Sequence, residues 1–173
     1  MPTLDDHPTV RAVRNRISLP TADAPPALTA DWLKQLALAC GADDAGVVSI
    51  DRPELDDQRA DILRAYPRTR VLLAFVCKMN REPVRNPARS LANLEFHHTT
   101  DHANDVARAL VRRLEADGIP ALNPASGFPM ETANFPGKMW VVSHKPVAVA
   151  AGLGQMGVHR NVIHPKFGNF IIL

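Results

Sequence analysis

A hydroxyl, an imidazole and a primary amine stand in a row at Ser143, His144 and Lys145. After a short apolar run comes Gly152-Leu153-Gly154-Gln155-Met156-Gly157. An imidazole gives or takes a proton near neutral pH, so His144 is the first candidate for acid–base work and Ser143 the second. Three glycines in six residues mark a place where a backbone turns or lies close to something. Gly-x-Gly-x-x-Gly is also the pattern of a dinucleotide-binding turn, but that turn opens a helix and needs an acidic residue about 20 positions on. Here β-branched Val158, Val162 and Ile163 follow, then Pro165, and there is no Asp or Glu after Glu131. Both flanks argue against a nicotinamide site. A Ser-His-acid hydrolase is disfavoured as well, because no Gly-x-Ser-x-Gly elbow surrounds Ser143.

Two further groups carry chemistry. Glu95, His97, His98, Asp101 and His102 crowd into eight residues. Imidazoles at i and i+4, as at His98 and His102, can share a helix face and bind zinc, but a good site needs two more ligands. Lining a pocket and capping a helix are the other readings, and no residue is assigned as a metal ligand. His159 and His164 flank Arg160 and Asn161, a polar set among apolar neighbours that suits either ligand contact or buried, carbonyl-bonded histidines. Arg81, Arg85 and Arg89 could meet phosphate or simply face water. With only Cys40 and Cys77, the chain by itself cannot hold an all-thiolate iron–sulfur cluster.

The elements that must position these groups read as one domain after an arm. Residues 1–27 are charged and proline-punctuated, with little period. Thr29 caps a helix through Trp32, Leu33, Leu36 and Ala37 that stops at Gly41. Ala45 to Ile50 is a short strand, Pro53 opens a helix through Ile62, and Val71 to Cys77 is a strand apolar on both faces, hence central in a sheet. Residues 78–90 read as a loop, a helix spans about Thr100 to Asp117 with Gly118 as its cap, and Ile119–Leu122 and Met139–Ser143 read as strands. Asn123 to Lys138 is a long loop of the functional kind. Phe167 to Leu173 is a turn feeding a buried strand, which suggests a chain cut before a further module. The fold class expected is α+β, an α/β sandwich in which helices flank one central mixed sheet over residues 28–173.

Composition bounds the function. A net charge of +2 is too small to imply nucleic acid or an anionic membrane as partner. No apolar run approaches the roughly 18 residues of a membrane span, and the polar N-terminus lacks a signal-peptide core. Two cysteines expected as buried thiols point to the cytoplasm.

The segment Lys145-Pro146-Val147-Ala148, then Ala151-Gly152-Leu153-Gly154-Gln155-Met156-Gly157, then Asn161 to Asn169 resembles epoxyqueuosine reductase and its relatives, among them the cobalamin-binding core of reductive dehalogenases. Leu36 to Ile50 and Leu114 to Ala121 are weaker echoes of the same family. The resemblance implies a cobalamin-binding domain similar to the flavin nitroreductase fold, followed by a ferredoxin-like module with two [4Fe–4S] clusters absent from these residues. It implies a two-electron reduction at cobalt of a small-molecule or modified-nucleoside substrate, fed by a ferredoxin or flavodoxin. Gly152, Leu153, Gly154, Gln155, Met156 and Gly157 are then the backbone approach to the corrin, with His97, His98, His159 and Asn161 as pocket contacts. In that family an acidic residue stands just upstream of the Pro-Val segment. Here the position is Ser143, followed by His144, which becomes the candidate proton donor. The alternative is a non-catalytic module that holds a corrin, flavin or nucleotide for a partner protein.

Overall fold

A computed structural model describes residues 7–17, 28–124, 136 and 140–173. In chain order the elements are α1 (Pro8–Ile17), α2 (Ala30–Ala39), β1 (Asp44–Ser49), a 3-10 turn (Pro53–Leu55), α3 (Asp56–Ala65), β2 (Val71–Lys78), α4 (Arg81–Arg85) and α5 (Arg89–Ala116). After them come α6 (His144–Ala150), β3 (Gln155–Met156), β4 (Val162–Ile163) and β5 (Ile171–Ile172). Local signals set several of these. The Thr29 hydroxyl accepts from the Trp32 N–H at 3.1 Å and so caps α2. Gly118, at φ +76°, ends α5 in the left-handed conformation that glycine adopts freely.

The strand β2 is central, in the order β1-β2-β5. Its side chains alternate between two apolar clusters. Leu73, Phe75 and Cys77 pack with Ala37, Ala45, Ala103, Val106 and Leu110 beneath α2 and α5. Leu72 and Ala74 pack on the opposite face with Val48, Leu55, Ile62, Val142 and Val147, beneath α3 and α6. Val76 continues that face with Ala148, Leu153 and Val162. The result is three layers: α2 and α5, the sheet, then α3 and α6.

The coarse α+β class holds, and the sheet itself is a correction. It is antiparallel at both described pairings, Asp44↔Val76 to Ser49↔Val71 and Cys77↔Ile172, where a mixed sheet was expected. The two-faced apolarity of Val71–Cys77 arises because helices cover both faces, which does not require parallel neighbours. Several local expectations also change. Part of the arm is helical (α1), and part of the 78–90 loop is α4. Ile119–Leu122 and Trp140–Ser143 carry no strand, and the apolar run after Ser143 is a helix. Finally, α5 begins at Arg89, eleven residues before Thr100; Leu91 and Leu94 in its first turns are half-exposed and line a cavity beside α4. Met139 and most of the 123–138 loop lie outside the described residues, as do residues 1–6 and 18–27 of the arm.

Candidate functional site

The helix α6 carries the first group of candidates, and its two ends are built differently. At its start, Ser143 is the N-cap, but its hydroxyl makes no capping bond. The Ser143 backbone is held instead by the buried amide of Gln58 on α3. Its N–H donates to Gln58 Oε1 at 2.9 Å, and Gln58 Nε2 donates to the Ser143 carbonyl at 3.5 Å. His144 comes next. Its Nε2 is buried and has no hydrogen-bond partner among the described residues. Burial alone lowers its pKa below the ordinary histidine value, so the imidazole is neutral at neutral pH. Lys145 reaches across to the hairpin, donating to Asn161 Oδ1 at 2.8 Å and to the Arg160 carbonyl at 3.0 Å.

At its end, α6 stops in a Schellman motif. The Gly152 N–H donates to the Val149 carbonyl at 3.0 Å and the Leu153 N–H to the Ala148 carbonyl at 2.9 Å, while Gly152 sits at φ +81°. The glycine turn thus closes a helix and leads into the β3–β4 hairpin. No helix begins there, which removes the dinucleotide-binding reading. Each glycine has its own reason. A Cβ on Gly154 would lie 2.3 Å from the Ile163 carbonyl oxygen, so two backbones cross there. A Cβ on Gly157 would press on the His159 ring at 2.7 Å, whereas one on Gly152 would meet nothing within 4 Å. Of the three, only Gly152 presents backbone to open space.

Buried Leu153 and Val162 seat the hairpin on the sheet. Its other apolar side chains, Met156, Val158 and Ile163, are exposed. His159 Nδ1 accepts from the Asn161 N–H at 3.2 Å and so shapes the hairpin loop. Ser143, His144, the Gly152–Gly157 run, His159 and Asn161 are therefore brought together along α6 and the hairpin.

His97 and His98 are not part of this group. They lie on α5, in the layer on the other side of the sheet. His97 stands edge-on to Phe96, with ring centroids 5.7 Å apart. His98 lines a cavity of about 340 Å³ between α4 and α5, together with Pro83, Leu91, Leu94 and Glu95. The i, i+4 pair His98 and His102 does share a helix, but His102 Nε2 is spent on the Gly41 carbonyl at 3.1 Å. No cluster of three or more metal-ligating side chains occurs among the described residues.

His164 is structural. It is 2% exposed, stacks on Phe167 and meets Asp44 Oδ2 through Nε2 at 3.1 Å. Its Nδ1 accepts from the Lys166 and Phe167 N–H groups at 3.1 and 3.3 Å, which assigns the proton to Nε2. Its partner is thus a carboxylate, where the sequence left open a ligand contact or a carbonyl. The thiol of Cys77 is buried and pushed up to about 11, first by burial and then by Asp43, so it is unreactive.

Glu95 gives this region a pH signature. Its carboxylate accepts from the Asn80 N–H at 2.6 Å, from Asn80 Nδ2 at 3.3 Å and from the Thr99 hydroxyl at 3.1 Å. The Asn80 backbone bond, foremost, holds its pKa below the ordinary carboxylate value. A depressed folded pKa adds stability above the unfolded value of about 4.5, and that stability is lost as pH falls through the folded value. Glu95→Ala should cost about 2 kcal/mol at pH 7 by stranding the Asn80 N–H. In urea unfolding the gap from wild type should narrow steadily as the pH is lowered toward 3; an equal gap at pH 7 and pH 3 would show that the carboxylate charge plays no part.

Sequence reading missed Gln58. The signal was present, since Leu55, Gln58 and Ile62 fall on one helix face and a glutamine in such a stripe needs a buried partner. No helix among the described residues is long and apolar enough to cross a membrane. No protein-family model matches the chain, and no curated protein is similar to it at a significant level.

Proposed function

We propose that α6 and the β3–β4 hairpin form the wall of a cobalamin site in a cytoplasmic reductase domain similar to epoxyqueuosine reductase. Its substrate would be a small molecule or modified nucleoside, and its electrons would come from iron–sulfur clusters held outside these residues. The observation that carries the reading is His144 Nε2, a desolvated ring nitrogen with no partner among the described residues. Unpaired buried polar atoms are rare, and one beside a candidate site supports a ligand there. The surroundings fit a wide apolar disc fringed with amides. Met156, Val158 and Ile163 offer exposed apolar contact, Gly152 offers open backbone, and Gln155 and Asn161 offer amides. When bound, the corrin would supply a two-electron reductant at cobalt.

The chain's own part follows from its residues. Lys145 pins the hairpin loop to the first turn of α6, and the Schellman turn fixes where the hairpin leaves the helix. His144 starts neutral, so it accepts a hydrogen bond or a proton first; it donates a proton only once acid or a bound negative charge has loaded it. The two thiols, Cys40 and Cys77, are unpaired, which supports the cytoplasmic assignment.

The test is an ultraviolet–visible titration of the purified chain with hydroxocobalamin, repeated with cob(II)alamin under anaerobic reduction. Saturable shifts of the corrin bands at micromolar concentrations are expected, with about tenfold weaker binding in His144→Phe, equivalent to about 1.4 kcal/mol. Spectra that do not change with either corrin would defeat the reading, and flavin would be the next ligand to titrate.

A further inference from the structure

We propose that Gln58 is a positioning residue that sets His144 in place from the neighbouring helix. The proposal rests on the reading of His144 as the acid–base group of the site. Gln58 lies on α3 in line with Leu55 and Ile62, and it is 5% exposed. A primary amide on that apolar face sheds its water on folding and must recover both a donor and an acceptor partner. It recovers both from a single residue 85 positions along the chain, the N–H and the carbonyl of Ser143. That carbonyl belongs to the peptide bond that carries His144.

Lys145 and the buried Val142 and Val147 hold this end of α6 in place, and the Ser143–His144 peptide itself is held by Gln58. The helix has seven residues, and the Ser143 hydroxyl does not cap it. Pro146, at its third position, has no N–H to engage. The grip of Gln58 on the Ser143–His144 peptide is therefore what sets the His144 backbone, and with it the ring whose Nε2 is buried. An alternative role, bulk packing of α3, would be served equally well by an apolar side chain of the same length.

Methionine is that side chain, so Gln58→Met separates the two roles. The experiment is a histidine-resolved NMR titration of the full chain, with the His144 resonance assigned by its disappearance in His144→Gln. In the wild type, His144 should titrate below the ordinary histidine value of 6.5. In Gln58→Met its midpoint should rise toward that value. A folded Gln58→Met protein with an unmoved His144 midpoint overturns the proposal.

Amide exchange in the wild type decides the case if Gln58→Met does not fold. A Ser143 amide protected well beyond the neighbouring loop amides is expected, and one that exchanges as freely as they do overturns the proposal. Cobalamin titration is scored separately. A wild type that binds no corrin removes the functional reading and leaves the positioning result standing.

Discussion

Gly46→Ala should unseat α6 from the sheet. A Cβ at this position would lie 2.3 Å from the Ala151 carbonyl oxygen and 3.0 Å from the Ala151 Cβ. The nearest obstacle is backbone, so no rotamer change relieves it. Gly46 sits inside β1, paired opposite Ala74, so the strand cannot retreat without giving up its register. The helix must move, and with it the Val147 and Ala148 contacts in two apolar clusters. Overpacking of this kind costs about 3 kcal/mol, at the upper end of its usual range. For a chain of this size that lowers the melting temperature by about 6–12 °C. Gly118→Ala is the control: nothing lies within 4 Å of its Cβ, and only the left-handed backbone is strained, at about 1 kcal/mol. Equal losses in the two variants would show that the contact between Gly46 and Ala151 is not a constraint.

Leu55→Ala should have an effect as large by the opposite route. Leu55 is fully buried at the end of the 3-10 turn, in the cluster with Val48, Ile50, Ile62, Val142 and Val147. Shortening it leaves a cavity between α3 and α6 that helices tied at both ends close only in part. Such truncations cost 2–5 kcal/mol, and about 3 is expected here. Leu55→Met keeps the volume and should cost less than about 1.5 kcal/mol. Urea unfolding should show a lower midpoint at an unchanged slope for the alanine variant. A midpoint equal to that of the methionine variant would place Leu55 outside the packing that seats α6.

The parts of this fold that were legible in the sequence are those fixed by local chemistry. The Thr29 cap, the Gly118 terminus and the apolar β2 each depend on neighbours a few residues away, and all three are found. What was illegible depends on partners far along the chain. Val147-Ala148-Val149-Ala150 is too short for its period to separate helix from strand, and α6 is helical because its Val147 and Ala148 fill space above β2. The first turns of α5 were left unassigned because Leu91 and Leu94 stay half-exposed beside α4, itself unseen. In the candidate site, the nearness of His144 to the glycine turn was readable from the chain itself. That the glycines end a helix was not, nor that His97 and His98 belong to the other face of the sheet. Gln58 was passed over because a glutamine between Leu55 and Ile62 shows its purpose only once Ser143 is beside it.

The order in which the sheet is completed has a consequence during synthesis. The β1–β2 pair joins segments about 20 residues apart, whereas Cys77 meets Ile172 only after about 95 more residues have been made. At typical elongation rates of about 5–20 residues per second, that is an interval of roughly 5–20 s. Throughout it, Cys77 and Lys78, at the end of the most apolar strand, stand without their β5 partners on the ribosome. An unpaired apolar edge is what nascent-chain chaperones and aggregating neighbours both recognise. Slower translation and added chaperone should therefore change the yield of this protein at high expression.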